Sequence, residues 1–106
     1  MAKYLIQANY VGEGIKGLLK EGGSSRRAAV EKLAESLGGT VEAYYYAFGD
    51  TDLFVIADMP DNVTAAAVSL TASAAGTATV KVTVLLTAEE VDAAVKKSPS
   101  YRPPGQ

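Results

Sequence analysis

The sequence contains no cysteine and no histidine among its 106 residues. Without cysteine, the chain can form neither a disulfide nor a thiolate metal site, and it has no cysteine nucleophile. Without histidine, it lacks the commonest metal ligand and the commonest general base near neutral pH. An enzyme built on this chain would have to work with aspartate, tyrosine or lysine side chains.

Long apolar runs and basic clusters are also missing. No stretch reaches the roughly 18 apolar residues of a membrane span, and the first residues lack the apolar run and cleavage site of a signal peptide. The net charge is −2, with no basic block to neutralise phosphates. We therefore expect a cytoplasmic protein that binds neither a membrane nor a nucleic acid.

The length suits one domain and is too short for two. We expect a single domain over residues 1–97. Residues 98–106 are rich in proline and polar side chains, which predicts an extended tail.

Alternating apolar and polar side chains predict four strands, which span residues 3–10, 40–48, 52–59 and 77–86. Helices with apolar stripes are expected after the first and third strands, with Leu33, Val63 and Leu70 packed on the sheet. A capping box beginning at Thr87 opens a short final helix. The order β-α-β-β-α-β plus a C-terminal helix predicts an α+β, ferredoxin-like fold, in which two helices cover one face of a four-stranded antiparallel sheet.

The other face of that sheet has no helix to cover it. Strict alternation places Tyr44 and Tyr46 on this open face and Tyr45 in the helix-side core. The other strands add both apolar and polar members, among them Leu5, Gln7, Asn9, Phe54, Ile56, Lys81 and Leu85. Such a patch is larger than a monomer usually exposes, so we expect a second copy to pack on it in a homodimer or a higher homo-oligomer.

Polar groups on the same face predict a ligand site with an apolar wall. We expect Asn9, Tyr44, Tyr46, Asp52 and Lys81 to border a pocket for a small organic ligand, with Lys81 as the counter-charge for an acid. The alternative is structural: the tyrosines only pack and hydrogen-bond, Asp52 holds the hairpin turn, and Lys81 pairs with a carboxylate. No catalytic residue can be assigned from the sequence.

A glycine motif after the first strand matches the G-x-G-x-x-G pattern of dinucleotide-binding folds through Gly12, Gly14 and Gly17. That fold also needs an acidic residue roughly 20 positions later and a parallel second strand. The corresponding position lies near Leu37, inside the end of a helix, and the next two strands form a hairpin. We interpret the glycines as a turn and expect no cofactor. The carboxylates near the hairpin form no recognisable cation motif, so no metal is expected either.

Several short motifs follow one another along nearly the whole chain. They are Asn9-Tyr10 before Gly14-Ile15-Lys16, Arg27 in the long helix, Leu37-Gly38-Gly39, Gly49-x-x-Asp52, Ala57-x-x-Pro60-Asp61 and Tyr101-Arg102-Pro103-Pro104-Gly105. Their order and spacing resemble the GYD domain family of small bacterial proteins, itself similar to the dimeric α+β barrels. One position departs from that family, because Thr51 stands where its Gly-x-Tyr-Asp turn has tyrosine, whereas Asp52 is kept.

The resemblance implies a fold and a dimeric α+β barrel, not a reaction. We therefore expect a homo-oligomeric module that binds a small molecule or serves in assembly. The alternative implied by similar barrels is a cofactor-independent monooxygenase, isomerase or decarboxylating enzyme. A third interpretation is a purely structural interaction protein.

Overall fold

The computed structural model describes residues 1–106 and contains four strands and four helices. The strands and three of the helices follow the predicted order. None of the helices is both long enough and apolar enough to cross a membrane. The elements are β1 (Ala2–Tyr10), α1 (Glu13–Glu21), α2 (Gly23–Ser36), β2 (Thr40–Tyr46), β3 (Leu53–Met59), α3 (Asn62–Ala74), β4 (Ala78–Leu85) and α4 (Ala88–Lys97).

The strands form one antiparallel sheet in the order β2-β3-β1-β4, with β1 and β3 in the centre. Ile6 of β1 is level with Val55 on one side and with Val82 on the other. The α+β, ferredoxin-like fold class is therefore confirmed, with α1 as an additional helix before α2.

The hydrophobic core lies between the sheet and helices α2 and α3. Alternate residues of the two central strands point into it, and α2 and α3 each contribute one buried alanine, Ala34 and Ala65. Tyr4 is the largest fully buried side chain, and its hydroxyl donates a hydrogen bond to Asn62 Oδ1 at 2.6 Å. That bond ties the start of α3 to the central strand.

The predicted inward side of α3 was wrong, whereas that of α2 was largely right, because Leu33 and the buried Ala34 both border the core. Val63 and Leu70 are 79% and 71% exposed, and Leu33 is 39% exposed. Helix α3 is rich in alanine, so two rotational phases of this helix satisfy the apolar pattern about equally well. In α3 the Asp61 side chain caps the helix by accepting from the Thr64 N–H at 2.8 Å. This cap and the Tyr4–Asn62 bond set the phase that turns Ala65 toward the sheet.

A β-bulge in β2 reverses the alternation on which the tyrosine assignment rested. Val41 is level with Ala57, and Ala43 is level with the adjacent residue Ile56, so Glu42 is an extra residue without its own partner. Beyond the bulge each side chain points to the face opposite from the one strict alternation predicts. Tyr44 and Tyr46 therefore lie on the helix side, and Tyr45 lies on the open face at 72% exposure.

The glycine motif after β1 has a packing role. Gly12 has a φ of 52°, a left-handed conformation that favours glycine. Gly14 sits against the Thr77 backbone so closely that a β-carbon would collide with the Thr77 carbonyl oxygen. The Val11 N–H donates to that same oxygen at 3.0 Å. The motif thus joins the start of α1 to the start of β4.

Substitutions in α1 test this explanation. Gly14→Ala should lower the free energy of unfolding by about 1–3 kcal/mol, because the new methyl group displaces backbone. Gly17→Ala is the matched control, since no atom lies within 4 Å of the position that its new methyl group would take. It should raise stability by about 0.5–1 kcal/mol, as alanine does in a helix interior. Urea midpoints measure both, and equal effects of the two substitutions would contradict the assignment.

Candidate functional site

Three of the five predicted site residues come together at one end of the open face. Asn9 lies at the end of β1, Asp52 precedes β3, and Lys81 lies on β4 level with Gln7 of β1. The other two, Tyr44 and Tyr46, point to the opposite side of the sheet because of the bulge in β2. Their predicted place on the open face was wrong.

Asp52 and Asn9 fasten the hairpin loop to the central strand. The Asp52 N–H donates to Asn9 Oδ1 at 2.8 Å and to the Ala8 carbonyl at 3.2 Å. In return, Asp52 Oδ2 accepts the backbone N–H of Tyr10 at 2.9 Å. The aspartate therefore has the structural role that the sequence left open as its alternative. It also fixes the orientation of the Asn9 amide.

An open groove of about 320 Å³ lies beside this junction. Its walls come from β1, the hairpin loop and β4, and its lining residues are Gln7, Asn9, Asp50, Thr51, Thr79, Val80 and Lys81. Alternation along β1 and β4 predicts Gln7 and Thr79 on the open face, whereas Asp50 and Thr51 were not predicted to lie there. Gln7 and Thr79 alternate with core residues, so their strand positions already carried a signal. The position of the loop residues depends on the fold.

The groove offers hydrogen-bond donors beside two acceptors, the Asp50 carboxylate and the Gln7 carbonyl oxygen, since Gln7 Nε2 donates to Thr51 Oγ1. Because the Asn9 Oδ1 atom is occupied by the Asp52 N–H, the amide nitrogen is the part of that side chain left for a ligand. The ion pairs of the chain involve Lys3, Lys16, Arg26 and Arg27. Lys81 is in none of them, so its charge has no carboxylate partner. Asp50 is the single carboxylate in the lining. An ammonium, an amide N–H₂ and a threonine hydroxyl can together bind a carboxylate group.

The tyrosines on the other side of the sheet form a hydrogen-bonded chain. Tyr46 donates to the Gly23 carbonyl at the start of α2 over 3.1 Å. Its hydroxyl oxygen lies 3.1 Å from that of Tyr44, which therefore acts as the donor of this second bond. The two rings meet edge to face at 5.3 Å, and Tyr46 stacks on Phe48 at 5.7 Å.

Two tyrosine hydroxyl groups on this side of the sheet, those of Tyr44 and Tyr10, are held in the neutral state. Burial raises the pKa of Tyr44 far above its ordinary value, and the hydrogen bond with Tyr46 raises it further. Burial also raises the pKa of Tyr10, with an added contribution from Tyr46. A tyrosine with a raised pKa is a poor base near neutral pH. The chain of tyrosines is therefore best explained as the link between β2 and α2.

Alkaline unfolding tests the burial of Tyr44. In the unfolded chain its hydroxyl ionises near the ordinary pKa of 10.0, whereas the folded chain resists ionisation. The resulting stabilisation is complete below pH 10 and is lost as the pH rises above it. Tyr44→Phe should lower the free energy of unfolding by about 1 kcal/mol at pH 8, because a hydrogen bond is lost. Between pH 9 and pH 11, however, the stability of this variant should fall less than that of the native sequence.

Tyr101→Phe provides the control for this measurement, because Tyr101 is 73% exposed in the tail. Urea midpoints across the pH series should show the same alkaline loss for this variant as for the unchanged chain. An identical alkaline loss in the Tyr44→Phe variant would refute the burial of that hydroxyl.

No group of three or more acidic side chains comes close enough together to hold a metal ion. The site is thus a shallow polar groove on the open face of a ferredoxin-like α+β domain.

The family model of the GYD domain matches residues 4–95, and the chain accordingly belongs to the GYD domain family. This confirms the resemblance noted in the sequence. No curated protein and no solved structure matches the chain.

Proposed function

We propose that the protein is a homodimer whose paired open faces enclose a binding site for a small organic acid. The observation that carries the proposal is the composition of the open face. A half-apolar centre that no helix covers adjoins a groove with an unpaired lysine.

The centre of the open face is apolar and continuous. Leu5 is level with Ile56 across the two central strands, and Tyr45 is level with Phe54 across β2 and β3. Leu85 of β4 lies beyond this patch, level with Lys3, and no helix of the chain covers the patch. Apolar area of this kind is favourable to bury, at about 25 cal/mol per Å². A second copy offers a surface of the same character.

At the end of the face opposite the groove, one lysine pairs with two carboxylates and leaves one net negative charge. Lys3 Nζ lies 3.0 Å from Glu42 Oε2 and 3.2 Å from Asp58 Oδ1. These contacts raise the pKa of Lys3, chiefly through the hydrogen bond with Glu42, so the lysine stays charged. Each carboxylate at that end therefore has a cationic partner within its own chain, which reduces the repulsion between two such faces.

Dimerisation would change the character of the groove. In the single chain it is open to water, where an ammonium and a carboxylate attract each other weakly. A second sheet packed about 10 Å above it would exclude much of that water. The attraction between Lys81 and an acid then increases, because the effective dielectric constant falls. The Asn9 amide and the Thr79 hydroxyl can add directional hydrogen bonds.

A charge placed in the apolar patch tests the dimer. The unchanged protein should have twice the 11.0 kDa mass of one chain at micromolar concentration. Ile56→Asp should give the single-chain mass, because pairing would bury two uncompensated carboxylates. Ala66→Asp, on an exposed position of α3, is the matched control and should remain dimeric. Light scattering over a dilution series measures the mass, and circular dichroism verifies folding. An unchanged chain that is monomeric at every concentration would refute the dimer.

Removal of the lysine charge tests the ligand class. Native mass spectrometry and calorimetry with a panel of small mono- and dicarboxylic acids should identify an acid that binds the unchanged protein. Lys81→Met should weaken the binding of that acid about 10- to 100-fold, which corresponds to the loss of one charge-assisted hydrogen bond. The dimer should persist, since an exposed lysine contributes little to stability.

The matched control for this test is Lys32→Met, at an exposed position of α2 that lies away from the groove. It should leave the affinity for the acid unchanged. Equal affinities in the two variants, or a panel in which only amines bind, would contradict an acid site at Lys81.

A further inference from the structure

The C-terminal helix α4 is a well-formed element with little packing on its own chain. It begins with a complete capping box, in which the Glu90 N–H donates to Thr87 Oγ1 at 3.1 Å and the Thr87 N–H donates to Glu90 Oε1 at 2.9 Å. Acidic residues occupy its first turn and lysines its last, as the helix dipole favours. None of its residues is buried.

One side of α4 is apolar. At 100° per residue, Val91 and Val95 lie on the same side of the helix, and Ala93 lies on the opposite side. The two valines are 47% and 71% exposed, and Leu86 just before the helix is 62% exposed. Isolated helices shorter than about 12–15 residues are marginal in water, so a ten-residue helix needs a packing partner.

Helix α4 and the tail after it are exposed throughout, and the chain as a whole is elongated. The molecule measures 56 × 32 × 23 Å, and its radius of gyration of 16.9 Å exceeds the roughly 13 Å of a compact chain of this length. The helix follows β4, which is an edge strand of the sheet. It therefore leaves the domain at an edge of the sheet.

The area of the open face supplies an independent argument. Four strands at about 4.8 Å spacing and about 24 Å length present roughly 450 Å², so two paired faces bury about 900 Å². Stable interfaces need about 1,200–2,000 Å². A helix about 15 Å long and 10 Å wide covers about 150 Å², and each contact buries that area on both surfaces. Two such contacts, one from each copy, raise the total to about 1,500 Å². The arms supply the area that the sheets lack.

We infer that α4 is an arm that packs its Val91–Val95 side on the second copy, so that the dimer is held by two reciprocal arms as well as by the paired sheets. The inference rests on the proposed homodimer and assigns part of its interface to the C-terminal helix. A twofold axis makes both contacts equivalent, which closes the assembly at two copies.

Sedimentation of the full-length chain tests the arm. The double variant Val91→Ser/Val95→Ser should raise the dimer dissociation constant about 100-fold, because four valines per dimer lose part of their buried apolar area. Ala93→Ser, on the opposite side of α4, should leave that constant unchanged. The double variant should fold normally, since α4 has no buried residue in the chain. Hydrogen exchange gives a second measurement: the α4 amides should be protected in the dimer and exchange rapidly once dilution separates the copies.

The outcomes separate the arm from the proposed dimer. If the dissociation constant of the double variant is unchanged and Ile56→Asp is monomeric, the arm is overturned, whereas the dimer through the paired sheet faces is supported. Loss of the dimer in the double variant, with Ile56→Asp still dimeric, supports the arm and overturns the paired faces. Protection of α4 at every dilution shows that the helix folds back on its own chain and overturns the arm. A chain that is monomeric throughout overturns both.

Discussion

The central strand β1 sets the arrangement of the whole domain, because it forms backbone hydrogen bonds with β3 on one side and β4 on the other. Its alternation sends Tyr4 and Ile6 into the core and Leu5 and Gln7 to the open face. Directly paired residues in an antiparallel sheet point to the same face. The core side and the open side of β3 and β4 are therefore set by their pairing with β1. One strand thus determines the side on which the helices lie and the side that remains uncovered.

The groove depends on the same strand. Asn9 near its end holds the hairpin loop through the Asp52 N–H, and Asp52 holds the Tyr10 N–H in return. These reciprocal bonds bring Asp50 and Thr51 of the loop to one edge of the groove. The aspartate of the Gly-x-x-Asp turn therefore shapes the groove instead of binding within it. Thr51 takes part in the same loop, where its hydroxyl accepts from Gln7 Nε2 at 3.4 Å.

The family, the fold class, the order of elements and the faces of β1, β3 and β4 could all be predicted from the sequence. Strong alternation in those strands made their assignment robust. Prediction of the site was partial: Asn9 and Lys81 border the groove, Asp52 supports it, and the two tyrosines lie elsewhere. That error has one cause, the bulge at Glu42, because one inserted residue reverses the face of every residue after it.

The sequence by itself determined the elements, since they follow from local patterns: alternation for strands, the capping box for α4 and glycines for the turns. Tertiary structure decided which way the ambiguous segments face. The tyrosine run of β2 and the alanine-rich α3 fit either face by pattern alone. Pairing with β3 oriented the tyrosines, and the Tyr4–Asn62 hydrogen bond with the Asp61 cap oriented α3. The reason is physical: periodicity depends on neighbours along the chain, whereas the choice of face depends on contacts between residues far apart in it.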